Sequence, residues 1–144
     1  MRQRYKVFII IFSVLSIITL MVVVLMMINP IYRSETSIRR YLLNITPIGT
    51  YMTDTITILE KNGWGIRTIS HTQGVVFSRN SSRPISFVDV NERPGFTDVG
   101  KRSLSMHMGN GRFIIFDFAV LAFYAFDEEN RLIEIFVWKM YDSL

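Results

Sequence analysis

The chain has 144 residues, 49% of them hydrophobic, a formal net charge of +4 and no cysteine. That length allows one modest domain, and the missing cysteines exclude a disulfide scaffold, thiol catalysis and a lipidated thiol. The basic excess sits at the front, where Arg2, Arg4, Lys6, Arg33, Arg39 and Arg40 face only Glu35. Residues 50–144 carry ten basic and eleven acidic side chains. The body is therefore close to neutral, which excludes the clustered basic face of a nucleic-acid binder.

Residues 1–6 read as a basic tail. Residues 7–28, "VFIIIFSVLSIITLMVVVLMMI", hold no charge, proline or glycine. As a helix they would extend about 33 Å, against a hydrocarbon core about 30 Å thick, so the pattern predicts a transmembrane helix. Ser13, Ser16 and Thr19 can return their hydroxyls to helix carbonyls. The run exceeds a signal peptide's apolar region, and "MMINPIYRSE" lacks a small-residue cleavage site, which favours an uncleaved single-pass anchor. Slightly more positive charge before the run than after it sets the N-terminus in the cytoplasm and the following domain outside it, in the cell membrane.

Residues 29–35 are a linker broken by Pro30, and 36–144 form a small α+β domain. "SETSIRRYLLNIT" places Ile38, Tyr41, Leu42 and Ile45 on one helical face, with Ser34 or Thr36 as cap and Pro47 as stop. A second helix follows in "GTYMTDTITILEKNGW", capped by Thr50 or Thr53 and ended by Asn62-Gly63. From Trp64 the period shortens. "WGIRTIS", "GVVFSR", "ISFVDV" and "RSLSMHM" read as strands, with loops at "NSSRP" and "NERPGFTDVG" and a tight turn at "GNGR". Phe113 to Phe126 reads as one or two strands and Leu132 to Lys139 as another. The expected fold is α+β: the transmembrane helix, two short helices, then an antiparallel sheet of about four to six strands.

Asp127, Glu128 and Glu129 lie between those last strands. Paired catalytic carboxylates need unlike environments around a shared cleft, whereas neighbours in an exposed turn splay apart. "DEENR" is therefore predicted to be a hairpin loop.

"LLNITPIGTYMTDTITILEKNGWGI" and "FAVLAFYAFDEENRLIEIFVWKMYDSL" resemble segments of a family of small, uncharacterised bacterial proteins, over roughly a third of the chain. The family carries a "TPIGTSM"-like stretch before a helix and a C-terminal hairpin ending in a "VWK…DSL"-like run. Two short helices before an antiparallel sheet are also similar to the folds of the outer-membrane assembly lipoprotein E and the β-lactamase inhibitory protein. There, a segment like Ile48, Gly49, Thr50 and Met52 opens the second helix. The resemblance implies a binding or scaffolding domain and supplies no catalytic residues.

His71 and His107 are the only histidines, too few without cysteine to suggest a zinc site. Ser103 and Ser105 precede His107 on the same strand without a nucleophile-elbow motif, and "GNGR" lacks the lysine of a phosphate loop. No catalytic, cofactor-binding or metal-binding residues are expected. Aromatic side chains dominate interface hot spots, and Tyr124, Phe126, Phe136 and Trp138 are the candidate contacts on a second, partner-facing sheet face. The expected function is a membrane-anchored, extracytoplasmic protein-interaction domain without enzymatic activity. The alternative is a membrane-anchored immunity or inhibitor protein that neutralises a toxin. The expected partners are the bilayer, through residues 7–28, and a protein.

Overall fold

The computed structural model describes residues 2–78, 84–85, 96–113 and 116–142. Two compact units emerge, Met1–Arg33 and Ser34–Leu144.

In the first unit, helix α1 (Arg2–Ile28) takes in most of the expected basic tail. Thr19 returns its hydroxyl to the Leu15 carbonyl at 2.9 Å, one turn back along the helix. A short 3₁₀ turn, Pro30–Tyr32, follows, its start fixed by Asn29 Oδ1 accepting from the Ile31 N–H at 3.1 Å. Among the described residues no helix is long and apolar enough to cross a membrane. Residues 7–8 and 25–27, at the ends of the expected span, lie outside the described side chains. That no described helix meets the length and apolarity of a membrane span corrects the expected transmembrane helix, and with it the single-pass anchor and the membrane localisation.

The second unit opens with α2 (Glu35–Ile45), capped by Ser34, whose Oγ accepts from the Ser37 N–H at 3.2 Å. Helix α3 (Met52–Lys61) starts without a side-chain cap. Thr50 instead donates its hydroxyl to the Pro47 carbonyl, and the Met52 N–H is taken by the Asn130 carbonyl. Two further main-chain bonds, Gly49 N–H to Leu132 O and Leu132 N–H to Thr50 O, lash this connection to the later hairpin. Gly49 has φ +90°, a left-handed conformation natural to glycine. Asn62 and Gly63 (φ +72°) end α3 as expected.

Among the described residues seven strands follow: β1 (Gly65–Ser70), β2 (Val75–Ser78), β3 (Pro84–Ile85), β4 (Phe96–Val99), β5 (Arg102–Phe113), β6 (Phe116–Phe126) and β7 (Leu132–Asp142). They form a four-stranded antiparallel sheet, β1-β5-β6-β7, and a three-stranded one, β3-β2-β4. A single sheet was the expectation. The division arises because β4, expected as loop, pairs with β2 rather than with the long strands. "GNGR" does not turn either: β5 runs through it, with a bulge between His107 and Gly109. Much of the expected 85–90 strand and the "NSSRP" loop lies outside the described residues.

Directly opposed antiparallel residues share a face, so the register sorts the core. On one face Leu104, Ala122, Val120, Tyr124 and Ile135 are buried, and α2 packs on β7 while α3 packs near β1. Ile38, Leu42, Met52 and Leu59 supply the helices' buried apolar side chains. On the other face Leu121, Phe123 and Ala125 pack with Val75 of the small sheet, and Phe77, Val99, Phe136 and Trp138 lean against them.

The triple-acid stretch is a turn. Asp127 Oδ1 accepts from the N–H groups of Glu129 and Arg131, and Asn130 takes the left-handed conformation (φ 64°).

Candidate functional site: a neutral cleft beside an open sheet edge

A cavity of about 480 Å³ lies between the two sheets, over the β1–β5 side of the larger one. Its floor comes from strand alternation: Thr68 opposes Ser105 and Ser70 opposes Ser103, four hydroxyl-bearing residues on one face. Phe123, across from Ser105, and Val75 and Val76 of β2 provide the apolar wall. The remaining border is the 71–74 loop.

Two of the hydroxyls hold that loop. Ser70 Oγ accepts from the Gln73 N–H at 3.1 Å, and Ser103 Oγ donates to the Gln73 carbonyl at 2.9 Å. Arg102 reaches from β5 to the His71 and Glu128 carbonyls and to the Asn130 side chain, tying loop and hairpin together. Gly74 closes the loop against β4, where a Cβ would meet the Val99 carbonyl at 2.3 Å. Thr68 and Ser105, half-buried, make no side-chain hydrogen bond among the described residues. Among the described residues no Asp, Glu, Lys or Arg lines the cavity, so its chemistry is hydrogen bonding by hydroxyls, main chain and the 71–74 loop beside apolar surface.

The lateral edges of the larger sheet differ. Along β7, Glu35 Oε1 accepts from the Lys139 N–H at 2.7 Å, and Arg39 Nε donates to the Ile135 carbonyl at 2.9 Å while pairing with Glu134. Burial lowers the Lys139 pKa, with Glu35 opposing the shift. Among the described residues nothing caps the outer edge of β1, where Ile69 is 38% exposed. A bulge between Ile66 and Thr68 sets Arg67 apart and divides the strand, so its longest regularly paired stretch is Thr68–Ser70.

The four candidate contact residues separate. Tyr124 and Phe126 are buried in the core, with Tyr124 on the helix side. Phe136 and Trp138 lie on the opposite face, and Phe136 meets Phe77 edge-on with ring centroids 4.6 Å apart. A bulge at Ile133 separates Phe126↔Leu132 from Ala125↔Glu134, so even-numbered β6 residues oppose odd-numbered β7 residues beyond it. Burial of Tyr124 has a cost: among the described residues its hydroxyl has no hydrogen-bond partner of good geometry, and burial raises its pKa, with the nearby Thr46 hydroxyl opposing.

His107 shares a strand face with Ser105 by alternation, yet its Nε2 is 2.9 Å from Asn110 Oδ1 and it does not border the cavity. Among the described residues no cluster of His, Asp and Glu could hold a metal ion. The open edge had no sequence signal separating it from any other strand. The hydroxyl floor did, in the alternating serines of "RSLSMHM".

Comparison with family models, characterised proteins and solved structures finds no match to this chain.

Proposed function

We propose that the Ser34–Leu144 unit is a protein-binding domain that carries out no chemistry of its own, with its contact region at the cleft and the adjoining β1 edge. The observation that carries this reading is the unequal finish of the two edges. Bare strand edges are hazards that proteins cap, blunt or use. Here α2 places two charged side chains on β7, while among the described residues none caps Thr68–Ser70 beside the cleft. The engagement of His107 by Asn110 supports the absence of a Ser105–His107 nucleophile pair.

A photo-crosslinking residue at position 69, in the full chain expressed in its source cells, tests this. A discrete protein adduct is expected there and not from position 57 on the exposed side of α3. Equal adduct patterns at both positions would remove the support, as would substrate turnover by the purified chain that His107→Ala abolishes.

A further inference from the structure

We infer that the partner offers an extended segment, which adds as a short strand to β1 at Thr68–Ser70 and lays alternate, uncharged side chains into the cleft. This inference rests on the protein-binding reading and specifies its mode.

Three observations lead to it. First, an edge strand offers alternate N–H and C=O groups outward, and an added peptide gains affinity by pairing with them. The bulge at Arg67 interrupts that pattern, so the pairing is short and begins at Thr68. Second, side chains of an added strand alternate in direction. Those on the Thr68 and Ser70 side would enter the cavity, where the Thr68 and Ser105 hydroxyls await partners and Phe123 and Val75 offer apolar contact. A volume of about 480 Å³ suits a few residues and not a folded element. Third, the charge pattern selects the occupant. Among the described residues the cavity lining holds no carboxylate, lysine or arginine, and Arg67 is the only charged residue of β1. The complementary segment has a short uncharged core and a carboxylate at the end that meets Arg67. A second copy would bring another Arg67 to the same edge and gains no such match.

The probe is a library of randomised octapeptides displayed on phage and selected against the full chain, followed by fluorescence anisotropy with the enriched peptides. Enrichment of an uncharged core flanked by Asp or Glu is expected. N-methylation along the peptide backbone should weaken binding at every second position, by at least about tenfold, because only alternate amides face β1. Ser105→Leu, which fills the cleft from a half-buried strand position, should cause a similar loss while leaving the thermal unfolding midpoint nearly unchanged.

Uniform or absent sensitivity to N-methylation would overturn strand addition, and full affinity in Ser105→Leu would overturn the use of the cleft. A library that enriches nothing, or a concentration-dependent dimer abolished by Ile69→Asp, would also overturn it. None of these results touches the adduct at position 69, so the protein-binding reading can survive the failure of this one.

Discussion

Along β7, helix α2 lends Glu35 and Arg39 to the edge of the sheet; along β1, none of the described residues does the same. Both strands end the same four-stranded sheet, and both have a helix nearby. The difference is one of helix placement. α2 packs against β7 through a face that includes the fully buried Ile38 and Leu42, which brings Glu35 and Arg39 over the edge. α3 enters β1 directly through the Asn62-Gly63 turn. A helix seated beside an edge can cap it, whereas one that merely precedes the strand cannot.

If that contrast holds, the largest effect belongs to the seat of α2. Ile38→Ala should cost about 2–5 kcal/mol, because a fully buried side chain leaves a cavity and both caps loosen with the helix. Ile69→Ala on the open edge should stay within about 0.5 kcal/mol. Urea denaturation of the two variants side by side measures the contrast, and equal costs would break it. Arg39→Ala comes next. Its ion pair with Glu134 is partly exposed, so the Coulombic part is screened. The greater part is the loss of the bond to the Ile135 carbonyl, for a total of about 1–2 kcal/mol. Because the variant bares the β7 edge, sedimentation velocity should also show association that grows with concentration.

The sequence makes the helices, their caps and the acidic turn legible because each depends on neighbours a few residues apart. Ser34, Pro47, Asn62-Gly63 and Asp127–Asn130 act locally, and the structure uses them as their chemistry suggests. Thr50 and Thr53 failed as caps because the competing partner, the Asn130 carbonyl, arrives from some eighty residues later. The transmembrane expectation fell because among the described residues no helix meets the length and apolarity that it requires. The contact face was misassigned by one residue. Without the bulge at Ile133, Tyr124 and Phe126 would share a face with Phe136 and Trp138, since even-numbered residues would oppose even-numbered ones. No local signal marks that bulge. The candidate cleft depends on register too, but its hydroxyl floor was visible as alternation in β5.

The closed side has a cost that a third variant exposes. Beneath the helices the Tyr124 hydroxyl is sealed without a well-formed hydrogen bond. Tyr124→Phe should leave stability at neutral pH unchanged or raise it by up to about 1 kcal/mol, since an unpaired polar group is removed at nearly constant shape. The pH dependence gives a second handle. In the unfolded chain this tyrosine ionises near pH 10.0, while burial raises its folded pKa. Stability is then intact below pH 10 and falls as the pH climbs above it, because the unfolded state releases the proton first. The slope is at most about 1.4 kcal/mol per pH unit. Comparing denaturation of the two proteins at pH 9 and pH 11 should show this contribution in the parent and not in Tyr124→Phe.

Arg67→Ala should have the smallest effect on folding and says most about the open side. Arg67 is exposed, sits at a bulge and makes no ion pair or hydrogen bond among the described residues, so the stability change should stay within about 0.5 kcal/mol. Its consequence lies in association. A cation at a bulge is one of the devices that keep an uncapped edge from pairing with its own kind. Removing the charge leaves the bulge, so sedimentation velocity separates the two contributions. New self-association at high concentration, reversed by introducing Ile69→Asp as a second substitution, would assign the protection to the charge. A variant that stays monomeric would assign it to the backbone irregularity alone. In that case β1 would resist self-pairing by shape, as β7 resists it by capping, and Arg67 would be left to act on the incoming segment only.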